Sequence, residues 1–392
     1  MERGNVLVIG NSGVGKSTLI NAVLGDGIAE TGAGTEGITD KLSIYENGQI
    51  PFRIIDTVGF EPTFIKAQRA IAAVKKWSKE CAKKGKTDNQ VNVIWFCVDG
   101  AARKLFSKSI QDLSKATKMW ESVPVIVVIT KSYSEPEREE NIEMVNNAFA
   151  KQRRYSKNLR KVIPVVASTL VVNKDIFVAP DGIIELIDAT NELMPEGIKA
   201  GQNDLNTYIL NRKRALAHGV VGAATMAGVV VGAIPIPFSD ALILSSIEIA
   251  EINALAHIYG ISKNEESKKF FNSIVEVGTV SIAAKAAISA LKAIPGVNLG
   301  ASAINAVIAG SIVAALGEGT IYAFEQIYLG NKSVSDIDWV KKVIESKLSA
   351  QFINTVKDNV IRITENTDKQ KIVKIIMDVF NNSTVSSDKQ TI

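Results

Sequence analysis

Residues 10–17 read Gly-Asn-Ser-Gly-Val-Gly-Lys-Ser, a G-x-x-x-x-G-K-S turn. An apolar run, Val6 to Ile9, precedes it, and an apolar helical pattern from Thr18 to Leu24 follows. Strand, glycine turn and helix in that order are the context in which this motif cradles phosphate. The glycines let successive backbone N–H groups curl around an anion, and the helix adds the positive end of its dipole. Asn11, Ser12, Gly13, Val14, Gly15, Lys16, Ser17 and Thr18 are therefore the expected phosphate-binding residues. Lys16 would reach the β- and γ-phosphates, and Ser17 would offer its hydroxyl to Mg²⁺. The motif implies a nucleoside triphosphate as ligand.

Two strands are expected next, Ile38 to Tyr45 and Pro51 to Ile55, joined as a hairpin by Glu46-Asn47-Gly48. The second ends in Asp56-Thr57-Val58-Gly59. An acidic residue at a strand end can hold Mg²⁺ through water, and Gly59 can bring its N–H to the γ-phosphate. A threonine from the intervening loop would complete the metal shell. Thr35 and Thr39 are both available; Thr39 is preferred because it abuts the strand and can be positioned by it. The glycine-rich run Gly32 to Gly37 reads as a switch, ordered according to the presence of the γ-phosphate. Lys16, Thr39 and Gly59 are thus the catalytic candidates, and Ser17, Thr39 and Asp56 the metal ligands.

Further strands are expected at Val91 to Val98, Val125 to Ile129 and Val162 to Ala167. Thr130-Lys131-Ser132-Tyr133 follows the second of these, and Ser168 the third. This order of motifs resembles a Ras-like G domain over about residues 1–195. The turn's spelling, through Ser17-Thr18-Leu19-Ile20-Asn21, is similar to the septin, chloroplast-import and immunity-related GTPases. The resemblance implies a six-stranded, mostly parallel α/β sheet that binds GTP with Mg²⁺ and hydrolyses it to GDP. It also implies that Thr130 and Lys131 help form the base site, with the Lys131 stem on the guanine ring and Ser168 or its neighbours at guanine O6. A homodimer through the G domains is the implied partnership.

Two positions depart from that pattern. Tyr133 stands where the family has the aspartate that reads guanine, and Glu135 is the nearest substitute. Phe60 stands where a glutamine orients the attacking water, so slow hydrolysis is expected. Arg103, after the fourth strand, is either a finger supplied to a second G domain or a solvated loop residue.

The chain has 392 residues, enough for two domains, and a net charge of +4. Its basic clusters lack interleaved aromatic residues, so nucleic-acid binding is not expected. Two cysteines, Cys81 and Cys97, give no disulfide framework, and with two histidines, His218 and His257, a histidine metal centre is not expected. His218 is expected to be a neutral polar residue of a packed helix. The N-terminus has no signal-peptide layout, which fits a cytoplasmic protein.

Composition shifts in the second half. The G domain is expected over 1–197, closing with a helix from Ile183 to Met194, and an all-α domain rich in Gly, Ala and Val over 205–330. Residues 215–239 and 293–317 carry no charge. Leu242 to Tyr259 reads as an amphipathic helix with Glu248 and Glu251 on its polar side, and Val275 to Leu291 as a second helix in which only Glu276 and Lys285 are charged. Ile234 to Leu242, with Ala254 to Gly260, resembles an uncharacterised helical domain found behind bacterial Era-like G domains. Two amphipathic helices are expected over 331–382 and a disordered tail over 383–392. The uncharged stretches are long enough to span a bilayer or to form a soluble helical core. Arg212-Lys213-Arg214 beside the first stretch would favour an anionic membrane at the inner face, peripheral or integral.

Overall fold

The computed structural model describes residues 3–25, 42–57, 90–102, 106–116, 122–173, 176–233, 240–280, 301–348, 354, 363 and 367–387. Contacts divide the chain into two compact units. One is Met1–Ser168 with Pro180–Arg212; the other is Thr169–Ala179 with Lys213–Ile392.

The first unit is built on strands β1 (Gly4–Gly10), β2 (Leu42–Glu46), β3 (Phe52–Thr57), β4 (Val93–Asp99), β5 (Val125–Thr130) and β6 (Leu159–Pro164). They form one sheet in the order β2-β3-β1-β4-β5-β6. Only β2 and β3 pair antiparallel. The unbroken Val and Ile runs of β1 and β5 are buried at every position, as strands covered on both faces must be. Helices α1 (Lys16–Leu24), α2 (Phe106–Ala116), α3 (Glu135–Ala150) and α4 (Ile183–Glu192) complete this unit's described helices up to the end of the sheet crossovers. Trp95 is fully buried, and its indole N–H donates to Thr190 Oγ1 of α4 at 3.0 Å. The chain order reverses direction across the sheet at β1, and its carboxyl end is where such sheets place a ligand.

The sixth strand lies three residues earlier than expected. It ends at Pro164, after which the chain turns; Val166 forms an isolated bridge with Asp181 instead of continuing the ladder.

The second unit begins with a hairpin that the sequence reading missed, β7 (Leu170–Asn173) and β8 (Ile176–Val178). Its Phe177 packs on a helical cluster of Ala224, Ala227, Val231, Ile247 and Val313. The helices are α5 (Gln202–Gly232), which crosses the division between the units at Arg212/Lys213, then α6 (Asp240–Tyr259), α7 (Glu265–Val280), α8 (Ala301–Tyr328), α9 (Ile337–Lys347) and α10 (Lys369–Ser387). Helix α8 packs against α6, α7, α9 and α10. Close approach to α5 is made possible by glycine: a Cβ on Gly232 would lie 2.5 Å from the Asn305 carbonyl.

Four expectations for this half are corrected. Helix α7 starts at Glu265, not Val275, because Asn264 and Ser267 cap it reciprocally: the Ser267 N–H donates to Asn264 Oδ1 (2.8 Å) and the Asn264 N–H to Ser267 Oγ (2.9 Å). Helix α10 continues through Ser387, so Ser383 to Ser387 are helical rather than tail. Glu248 and Glu251 face the core, at 1% and 0% exposure, while Ile249 between them is 47% exposed. The helical period is right, and the face is reversed.

The basic triplet is also not a free cationic surface. Arg212 is buried. Lys213 Nζ donates to the Ile258 carbonyl at 2.6 Å and stands over the Tyr328 ring. Arg214 forks onto Glu325 at 2.7 and 2.9 Å. The proline pair Pro235/Pro237 and residues 293–300 lie outside the described residues.

Candidate nucleotide-binding site

Strand β1 delivers the turn to the carboxyl edge of the sheet. Register sets its neighbours: Asp56 lies level with Val8, Cys97 with Gly10, and Thr130 with Asp99. A Cβ on Gly10 would stand 2.7 Å from the Cys97 carbonyl, so the start of the turn rests directly on β4. Gly13 and Gly15 have φ of 78° and 96°. These left-handed values cost other residues about 1–2 kcal/mol each. They turn the backbone so that α1 begins at Lys16, capped by Gly15.

Val14 is buried and anchors the turn from beneath, while Ser12, Gly13, Ser17 and Thr18 are exposed above it. Lys16 Nζ lies across the turn, donating to the carbonyls of Gly10 (3.0 Å) and Asn11 (3.1 Å). A cavity opens between Asn11 and Ser12, the end of β4 at Cys97 to Asp99, and Ser109 of α2.

The end of β5 clamps the turn from the other side. Thr130 is buried, with its hydroxyl 2.5 Å from the Val14 carbonyl and 3.0 Å from that of Val98. Lys131 takes a left-handed φ of 55°. Its Nζ donates to the Gly13 carbonyl at 2.8 Å and pairs with Asp99 at 2.7 Å. Beyond it, Ser132 is buried and Tyr133 is 40% exposed. The loop is held in place by Arg138 of α3, which bonds the Ser132 carbonyl and forms a short ion pair with Asp181. Ser168 sits exposed on a bend after Val166.

The Cys97 thiol is pushed up to about 12 by burial, with Lys16 lowering it and Asp56 raising it. Cys97 is therefore an inert filler. Lys16 and Asp56 lie close enough to act on it in opposite senses, so cation and carboxylate share this end of the sheet. Asp56 is itself 7% exposed.

The structure thus gathers residues 11–18, Thr130, Lys131 and Asp56 at one sheet edge. Thr35, Thr39, Gly59, Phe60, Arg103 and Cys81 lie outside the described residues. Asp99, which holds Lys131, went unread from the sequence. Its signal was a carboxylate at a strand end, the same feature that drew attention to Asp56.

A six-stranded sheet of this order, with a phosphate-cradling turn between β1 and α1, defines a P-loop G domain of the Ras-like kind. Within the chain, residues 5–131 match the family model of the 50S ribosome-binding GTPase, and residues 200–349 match that of a domain of unknown function (DUF697). The chain is similar to Cell division control protein 10 of Saccharomyces cerevisiae, 24% identical over 225 residues, covering 51% of this chain and 65% of that protein. It is also similar to GTPase Era of Geobacter sp., 27% identical over 214 residues, covering 53% of this chain and 61% of the relative. The chain therefore spans less than two thirds of either relative's length. Among solved structures, a probable GTP-binding protein engB aligns at TM-score 0.33 and 22% identity, over 48% of this chain and 98% of that one. Era in complex with MgGDPNP and a segment of 16S ribosomal RNA aligns at TM-score 0.31 and 22% identity, over 58% and 68%.

Proposed function

We propose that this P-loop GTPase is a slow, GTP-hydrolysing regulatory switch that dimerises through its G domain. The observation that carries nucleotide binding is the clamped turn: left-handed Gly13 and Gly15, Lys16 at the first position of α1, and Thr130 and Lys131 bonded to the turn's own carbonyls. The N–H groups of the turn bind the phosphates, and Lys16 swings from the Gly10 and Asn11 carbonyls to the β- and γ-oxygens. Lys131 and Ser168 border the base, and the Lys131–Asp99 pair keeps that border level with the turn.

The donor set fits Mg²⁺. Ser17 exposes a hydroxyl in the first turn of α1, and Asp56 presents a carboxyl at the end of β3 beside β1. With Thr39 these residues would hold the ion, which would offset the charge of the phosphates. Phe60 has no group to orient water, so hydrolysis is slow until a second G domain completes the site. Lys16→Ala is expected to abolish binding of labelled GTP; unchanged affinity would remove the assignment. Titration with GTP and ATP tests the base preference, with GTP expected to bind the tighter despite Tyr133. Specific activity that rises with protein concentration supports dimerisation, and a fast, concentration-independent rate counts against it.

A second reading is attachment to the inner face of an anionic membrane through 205–330. It is favoured by the Asn203–Gly232 segment, which is long and apolar enough to cross a bilayer and whose apolar window is only 56% buried. The corresponding window in Ser302–Tyr328 is 94% buried, as a bundle's central helix is. Flotation with anionic liposomes, with GDP and with a GTP analogue, decides it. Because the matching family is described as ribosome-binding and one aligned structure contains ribosomal RNA, ribosome co-sedimentation belongs in the same experiment.

A further inference from the structure

Helix α6 is inverted. It turns Glu248 and Glu251 into the core and leaves Ile249 and His257 outside. Glu251 is completely buried, and neither of its carboxyl oxygens has a hydrogen-bond partner among the described residues; Glu248 Oε2 is likewise without one. The Glu251 carboxyl lies against α8 where Gly317 bares the backbone: a Cβ there would be 2.3 Å from Glu251 Oε1 and 2.6 Å from a methyl of Val221 on α5. Three helices of one unit therefore meet at an unpartnered acid.

Among the described residues, the surrounding charges leave it no cation. On α8, Glu318 is taken by His218 Nδ1 of α5 at 2.8 Å. Glu325 is taken by the Arg214 fork and by the Tyr259 hydroxyl at 3.1 Å. Lys213 is spent on the Ile258 carbonyl. On α7, which also packs on α6, Glu265, Glu266, Lys268, Lys269 and Glu276 are all exposed at the surface, and β8 carries no charged residue. No group of three metal-binding side chains occurs among the described residues. Among the described residues, Glu248, Glu251, Glu318 and Glu325 thus share this interior with Arg214 on Glu325, His218 on Glu318 and Lys213 on a neutral carbonyl. An uncompensated carboxylate in such a place is far more costly than a neutral carboxyl.

We propose that the Glu248–Glu251 pair is a proton-held latch: α6 stays docked on α8 while both carboxyls are protonated, and loosens when a proton is lost. Burial acts on both groups in the required direction. It pushes Glu248 up to about 8, and it drives Glu251 well above the carboxylate range, with the charges of Glu248 and Glu318 adding to the effect. Between the ordinary carboxylate range and about pH 8 the docked helix keeps protons that an undocked helix releases. Docking therefore weakens as pH rises through that window, by up to about tenfold per pH unit for each group. A helix with acids inside and isoleucine outside breaks the local rule that its neighbours obey, which is the mark of a segment built to move.

The test is hydrogen exchange of α6 amides in the full-length protein from pH 5.5 to 9, corrected for intrinsic exchange, in the parent and in Glu248→Gln/Glu251→Gln. Glutamine keeps shape and polarity and cannot ionise. The parent's opening equilibrium should rise steeply with pH, and the variant's should be flat and more protected at pH 8.5. An equal slope in both overturns the latch. A second measurement needs no variant: the infrared band of protonated carboxyl should be present in the parent at pH 7 and weaken as pH rises. Its absence at pH 7 overturns the proposal even where the variant fails to fold.

Discussion

At the scale of single residues, the nucleotide site depends on a few contacts made to the turn's carbonyls rather than to its N–H groups. Thr130 is the clearest of them. Thr130→Val keeps the shape but removes the hydroxyl that bonds the Val14 and Val98 carbonyls, leaving buried acceptors unmet. A loss of about 1–3 kcal/mol is expected in chemical denaturation, with weaker nucleotide binding in titration. Gly15→Ala separates the two readouts. A φ of 96° strains alanine by about 1–2 kcal/mol, which a buried sheet can absorb, but the turn would lose its curl. Triphosphate binding should disappear, while the free energy of unfolding falls only by that strain. Much of this was legible in advance, because glycine and lysine at fixed spacing have one job. Asp99 was not, because a lone carboxylate at a strand end has several.

At the scale of elements, the glycines of the helical unit fall into two kinds. Gly222 of α5 has nothing within 4 Å of a built Cβ, whereas Gly232 faces the Asn305 carbonyl at 2.5 Å and the Ala309 Cβ at 2.7 Å. Gly222→Ala should therefore stabilise by about 0.5–1 kcal/mol through helix propensity. Gly232→Ala should destabilise by about 1–3 kcal/mol, since backbone must shift to admit it. Paired thermal melts check both signs, and a common sign would refute the close α5–α8 packing. The sequence showed the small residues but not which of them touch. Periodicity also placed α6 correctly and misled on its direction, because charge was assigned to solvent by habit. The capping pair at Asn264 and Ser267 is a signal for a helix start at that point.

At the scale of the whole molecule, pH should act chiefly through the helical unit. Burial lowers the pKa of His218, but the hydrogen bond and charge of Glu318 outweigh it, and the net direction is upward. The direction favours the charged form of His218, whereas a neutral residue was expected. A raised histidine contributes stability that is complete below its unfolded pKa of 6.5 and is lost as pH climbs through the higher folded value. Mild acid should thus favour this unit, in the same sense as the buried glutamates. His218→Gln should flatten the loss of thermal stability above pH 6.5 without moving GTP affinity, as melts and titrations on one sample would reveal.

The hairpin β7–β8 carries a consequence for how the chain is made. It precedes α4 and α5 in sequence yet packs with α6, which is synthesised later. At about 5–20 residues per second, translation leaves the hairpin without its partner for seconds. Val171, Val172 and Ile176 remain half-exposed even in the finished protein, and the helical cluster on which Phe177 packs does not yet exist. Each nascent chain therefore passes through an interval with a bare, sticky ribbon in its middle. A slow codon between residues 180 and 240 would lengthen that interval, and a chaperone at the tunnel exit would have something to hold.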